Sequence, residues 1–318
     1  MMRLLPVCAL LAAALLAVPV TGATDPAAPA AAAPAAVPGD IPPGAAALNI
    51  PGETIATLDG EFVSLAAGPE GLFLLSADNR VVRVLGNETT ALALPALAPS
   101  APPGRFSDLA VLGGTFYLCR AQETRVYVFD PAKPQAWSYL MPQGLPAGQA
   151  GFTRIAAAGT FLGVGDADGS VFLLEPDGRA TRRPAGELLF PSRDGPGLRI
   201  DREGTADGLL SWQVRDAAGH VRWSRQGQDP ATNVVGMTVL GFDPAGRLVV
   251  AEAAGNRDGG QTWQVLAIAE GKAAAARPLA GPGALLAVRT AALLDDGSVA
   301  GLTGDPVSKK TILYKVTF

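Results

Sequence analysis

From residue 48 to the C-terminus the chain alternates short apolar runs with clusters of Gly, Pro, Asp and Asn. The runs are four to seven residues long and rich in Val, Leu, Phe and Thr. Few windows hold a helical period, so short strands joined by tight turns are predicted throughout. The best-formed stretch is 62–85, FVSLAAGPEGLFLLSADNRVVRVL: a strand, a Gly-centred turn, a strand, a polar turn and a third strand. Fainter copies follow it. The second covers 106–141 and the third 152–184. The fourth is looser, with runs at 198–201, 209–214 and 221–225; the fifth opens at Thr238, and the sixth covers 285–318.

The unit starts at Phe62, Phe106, Phe152, Leu198, Thr238 and Val288 lie 44, 46, 46, 40 and 50 residues apart. A period in the forties, with about four short strands per unit, is what a β-propeller blade requires. An all-β, six-bladed β-propeller is therefore predicted over 48–318. The sixth unit ends on its third strand at Phe318, while 53–58 (ETIATL) is a strand without a unit of its own. Pairing of 53–58 with 311–317 would close the ring and remove an open sheet edge.

Residues 64–84, with GLFLL at 71–75 and Asn79-Arg80-Val81, resemble the NHL-type repeat of six-bladed propellers. Residues 241–251, GFDPAGRLVVA, resemble the first half of that repeat. The resemblance is one of fold and implies no particular activity.

The N-terminal 47 residues follow a different pattern. Arg3 precedes an uncharged apolar run over 4–20, and Thr21-Gly22-Ala23 offers small residues for cleavage. Residues 1–23 are read as an export signal, with a retained anchor helix as the alternative. Residues 24–47 are mostly Ala and Pro, the composition of a semi-rigid tether. Export to the bacterial periplasm or cell surface is the expectation. The bacterial source is inferred from the Ala/Gly/Pro/Arg bias. No membrane domain is expected beyond the signal or anchor segment.

The chain of 318 residues is 48% hydrophobic and 17% charged, with a net charge of -4. No basic run exceeds two residues, so a nucleic-acid footprint is not expected. Aromatic residues make up only 6%, and the core must come mainly from Leu, Val and Ala. Trp137, Trp212, Trp223 and Trp263 all fall within predicted strands and read as packing between blades. With Cys8 in the signal, Cys119 stands alone, in an apolar run where a small buried residue is expected.

Chemistry is sparse. The turn 165–170, GDADGS, offers Asp166 and Asp168 to a calcium ion, but the stretch after it reads as a strand, and tight polar turns at Asp177-Gly178 and Asp295-Asp296-Gly297 share its composition. His220 is the single histidine, and G-x-S-x-G does not occur, so neither a histidine zinc site nor a serine triad is expected. Asn87-Glu88-Thr89 fits a glycosylation sequon, which matters only in a eukaryotic secretory path. The strands expected to face the channel, 107–112, 153–158 and 288–293, offer Asp108 as their one carboxylate.

Polar loops remain. The loops between second and third strands, and between blades, are expected to share one face. They carry Arg120, Asp166, Asp168, Arg193, Asp194, Arg215, Asp216 and Arg257, and these are the candidate binding residues. The function expected is a non-catalytic scaffold that binds a protein or ligand, with no cofactor. The alternative is a metal-dependent hydrolase or lactonase, because gluconolactonase-like propellers hold a cation in the channel.

Overall fold

The computed structural model describes residues 50–98, 104–158, 160–183, 198–216, 218–255, 257, 261–280, 290–305 and 308–318. They form six antiparallel sheets, the six blades of a propeller. Blade I runs Phe62–Gly68, Gly71–Ser76, Val81–Leu85 and Glu88–Leu92, from the innermost strand outward. Blade II runs from Asp108–Leu112 to Ser138–Leu140, blade III from Phe152–Ala158 to Ala180–Arg182, and blade V from Val234–Phe242 to Lys272–Leu279.

The expected closure is present. Blade VI contributes Ala291–Leu293, Val299–Asp305 and Lys310–Val316, and Glu53–Asp59 adds its outermost strand. The pairing is antiparallel, with Glu53 opposite Lys315 and Asp59 opposite Lys310. The Thr311 hydroxyl also donates to the Gly60 carbonyl at 2.7 Å. The end of the chain and the start of the ring are thus one sheet.

Inner strands are buried on both faces, which explains their continuous apolar runs. Along Gly71–Ser76, Leu72 and Leu74 pack towards blade VI, while Phe73 and Leu75 pack towards blade II. Outer strands carry the charge: Glu88–Leu92 and Lys272–Leu279 are mostly exposed, a composition that discourages edge pairing. The few aromatic residues concentrate at blade II. Phe106, Tyr127 and Trp137 meet there at centroid separations of 5.1 to 5.6 Å. Trp137 lies just before Ser138–Leu140 rather than within a strand, and its indole N–H reaches the Pro95 carbonyl at 2.9 Å. Trp212 and Trp223 pack between blades IV and V, as their strand alternation implies, and Cys119 is fully buried.

One five-residue turn recurs at 76–80, 166–170, 175–179, 205–209, 216–220, 243–247 and 294–298. In each, the first residue's N–H bonds the fifth residue's carbonyl, and the fourth residue's N–H bonds the first residue's carbonyl. The fourth residue has positive φ in every copy; it is Gly in six and Asn79 in the first. This is the three-residue hairpin loop whose left-handed position selects Gly or Asn.

Blade IV departs from the sequence expectation. Its three described strands are Arg199–Gly204, Leu210–Arg215 and Val221–Gln226. The Asn233 side chain, just before the innermost strand of blade V, accepts from Leu210 N at 3.1 Å and donates to the Gly208 carbonyl at 2.8 Å. The turn 205–209 therefore lies at the end of the ring where connections between blades run. That makes Arg199–Gly204 a second strand rather than a first, and Leu210–Arg215 and Val221–Gln226 the third and fourth.

Candidate functional site

Each blade's first strand runs from an upper face, where inter-blade connections and second-to-third-strand turns lie, down to a lower face. The direction of blade IV separates the residues that the sequence groups together. Arg120, Asp166, Asp168 and Arg257 lie on the upper face. Arg215 and Asp216 flank the third-to-fourth-strand turn of blade IV and lie on the lower face, which corrects the expectation that these loops share one side. Counting strand direction from the first legible strand of the unit inverts the whole blade. Arg193 and Asp194 lie outside the described residues.

Around blades II and III the upper face is built from internal bonds. Arg120 is 1% exposed, and its Nη1 donates to Glu123 Oε1 at 2.9 Å and to the Tyr127 hydroxyl at 3.1 Å. The Tyr127 hydroxyl donates in turn to Glu123, and Arg125 pairs with the second Glu123 oxygen. Burial raises the Tyr127 phenol above its ordinary value; the Arg120 hydrogen bond works against this, and Glu123 adds to it. The Glu123 carbonyl accepts from Phe152 N at 2.9 Å, so the cluster fastens the connection into blade III. Asp166 is on the other side of that connection, accepting from Gln149 Nε2 and from Ser170 N. Arg120 and Asp166 are thus brought together around residues 149–152, as fasteners of the connection. Asp168 sits on the exposed tip of the turn. Arg257 is exposed and pairs with Asp229 at 3.0 Å.

Asp216 serves its own turn, accepting from Ala218 N and His220 N. Desolvation works to raise its carboxyl, and the bonds from His220 and Ala218 outweigh that to hold it below the ordinary value. The acidic turns do not occupy equivalent positions in their blades. The one at 166–170 is an upper turn, and those at 175–179 and 294–298 are lower ones. Their shared chemistry reflects the turn geometry itself.

Asp108, the carboxylate on the strands expected to face the channel, is 7% exposed. One oxygen accepts from the Ser64 hydroxyl at 2.6 Å and Leu109 N at 2.9 Å; the other accepts from Ile155 N at 2.9 Å. Innermost strands of different blades share no ladder, so this single side chain joins blades I, II and III. Among the described residues no group of three or more His, Cys, Asp or Glu side chains is arranged as a metal site.

A basin of about 1280 Å³ lies on the lower face. It is formed where first-to-second-strand turns converge, together with the turn at Gly86-Asn87 of blade I. Leu85, Leu112, Phe242 and Leu294 supply apolar lining, with Glu53 and Lys315 among its charges. Leu85 is 52% exposed. Asp243, also in the lining, is taken up by its turn and by Arg247 Nε at 2.6 Å. Sequence reasoning missed this basin because its apolar residues read as strand ends. The available signal was Leu85, an apolar residue with no strand alternation to bury it, beside Gly86.

No known family profile matches the chain, and no curated protein matches it in sequence. Solved structures do match it in shape. The WD40 β-propeller domain of Doa1 is 11% identical, with a TM-score of 0.50, covering 84% of this chain and 97% of that one. The Cps50 (Swd1) β-propeller domain from Myceliophteria thermophila is 10% identical, with a TM-score of 0.47, covering 82% and 100%. At such identities a likeness is one of fold; the sheet topology establishes a six-bladed β-propeller whose ring is closed by its N-terminal strand, and the shape of the Doa1 domain agrees with it.

Proposed function

We propose that the chain is a non-catalytic binding scaffold of the bacterial envelope, which uses the lower basin to hold a protein partner. The observation that supports this is the basin itself. It is wide, its lining mixes leucine and phenylalanine side chains with a few charges, and it is built on rigid blade ends. A partner could bury Leu85 there, and an exposed large apolar residue beside a concavity is the feature that marks an interaction surface. Envelope placement rests on the apolar run at 4–20 and the Ala/Pro tether at 24–47.

The test is a comparative pull-down from an envelope fraction, with wild type and a Leu85→Glu/Leu112→Glu variant as baits. The expected result is a partner near stoichiometric abundance with wild type and its loss with the variant, whose circular dichroism is unchanged. Equal capture by both baits, or capture by neither, overturns the assignment of the basin. N-terminal sequencing of the mature protein tests export separately, with cleavage after Gly22 or Ala23 expected.

A further inference from the structure

The lower basin changes character around its rim. Where blade VI meets blade I, its lining comes from the start of Glu53–Asp59, the lower ends of Gly71–Ser76 and Val81–Leu85, and Leu294. Leu72 and Val84 are buried in the wall between these two blades, and Ile55 and Leu294 pack against them while staying partly open. Strand alternation puts Leu85 on the other side of its strand from Val84, towards blade II, where Val111 and Leu112 continue the lining. Apolar surface therefore runs from blade VI across the lower end of blade I to blade II, with Leu85 as the exposed large side chain along it.

The charged side chains of the lining are Glu53, Arg222, Asp243, Asp295 and Lys315. Asp243 is matched by Arg247 at 2.6 Å and Arg222 by Asp216 at 4.0 Å, and Asp295 is itself engaged. Lys315 Nζ is held by Asp296 at 2.6 Å. Glu53 lies opposite Lys315 in the sheet and is exposed, and its carboxylate makes no ion pair or hydrogen bond among the described residues. Two carboxylates thus stand around one ammonium, and the excess negative charge rests on Glu53. In the free protein water satisfies that carboxylate. A partner that covers Ile55 and Leu85 strips water from it, and leaving it unpaired then costs affinity. A cation on the partner removes that cost, while a carboxylate there adds repulsion.

We infer that the basin selects a protein segment carrying a lysine or arginine beside large apolar side chains. The apolar groups cover Ile55, Leu294 and Leu85, and the cation meets Glu53. The inference rests on the basin being the partner-binding surface and adds what the partner must present to it.

The test selects a phage-displayed library of random peptides on the immobilised full chain, and in parallel on Glu53→Lys and on Leu85→Glu/Leu112→Glu. Wild type is expected to enrich peptides with Lys or Arg beside Leu or Phe. Glu53→Lys is expected to enrich Asp or Glu in that place, and the leucine variant neither. For a peptide enriched on wild type, Glu53→Gln weakens binding by about two- to fivefold, the effect of one solvent-exposed ion pair. Glu53→Lys weakens it by about tenfold or more, because attraction becomes repulsion. Both losses shrink as salt is raised. Glu53 is exposed at the head of an outer strand, so both variants are expected to keep the wild-type circular dichroism. Peptides that are lost on the leucine variant yet show no basic preference, or the same preference on Glu53→Lys, overturn the inference and leave the basin standing. Peptides that bind the leucine variant as tightly as wild type remove both. No enrichment on wild type also overturns the inference, while the pull-down decides the basin separately.

Discussion

Replacing Asp108 with Ala removes a side chain that joins three innermost strands. The Ile155 and Leu109 N–H groups lose their acceptor in a buried setting, and the Ser64 hydroxyl loses a 2.6 Å bond. Each stranded buried N–H costs about 1–3 kcal/mol, and the hydroxyl about 1 kcal/mol. Relief of the carboxylate's own desolvation offsets part of this. The expected net loss is about 3–4 kcal/mol, large for a point substitution. Asp108→Asn keeps one acceptor oxygen and turns an N–H₂ to either Ile155 N or Leu109 N, from which it cannot accept, so about half the loss is expected. Ser64→Ala alone costs about 1 kcal/mol, and the Ser64→Ala/Asp108→Ala cycle shows a coupling of about 1 kcal/mol. Urea unfolding at neutral pH, followed by tryptophan fluorescence, measures all four variants. A loss below about 1 kcal/mol for Asp108→Ala, or zero coupling, refutes the reasoning that this carboxylate ties the blades together.

Other consequences follow from the same packing. A Cβ at Gly301 would lie 2.5 Å from the Tyr314 ring carbon Cζ and hydroxyl oxygen, in a side chain that is 2% exposed and accepts from Ala280 N at 3.0 Å. Gly301→Ala is therefore expected to cost about 2–4 kcal/mol and lower Tm by several degrees, with part of the loss recovered in Gly301→Ala/Tyr314→Phe. The Lys315 and Ser298 hydrogen bonds hold the Asp296 carboxyl at about 2, below its ordinary value of 3.8. A depressed folded-state pKa contributes stability that is present above about 3.8 and lost as pH falls towards about 2. Asp296 is 55% exposed, so solvent limits the gain to under about 1 kcal/mol. Between pH 5 and pH 2 Asp296→Asn should lose slightly less Tm than wild type, and an identical profile would argue against the pairing.

How far the sequence discloses this fold depends on which physical signal each element leaves. Residues 62–85 are legible because both faces of their central strands are buried, which writes a continuous apolar run bounded by turn residues. Closure by 53–59 is legible from an unpaired strand at each end of the repeat. Blade IV is not, because strand direction leaves no mark in a short apolar run. Its orientation appears only when Asn233 is seen bonded to Leu210 and Gly208. The fifth blade's first strand begins at Val234, four residues before the repeat suggests, because Gly236 and Met237 dilute the apolar signal.

The candidate site is less legible, since a charged residue has the same symbol whether it meets solvent or its own turn. Arg120 reads as a loop cation and is instead buried under Tyr127 and Glu123. Asp166 and Asp216 read as loop acids and instead bond the fifth residue of their turns. Asp108 was visible as a carboxylate on a strand expected to face the channel, but its partners in blades I and III come from 44 and 47 residues away.

The central claim, a ring closed by its N-terminal strand, is tested most directly by a cross-link across the seam. Thr57 and Ile312 are direct partners in the register of Glu53–Asp59 with Lys310–Val316, and neither side chain is buried. In a Thr57→Cys/Ile312→Cys variant, with Cys119 buried, mild oxidation is expected to give an intramolecular disulfide. It would show as faster migration on a non-reducing gel and a raised Tm, because the bond ties together distant parts of the chain. Two thiols that stay reduced under oxidant while both react with maleimide would contradict closure by this strand.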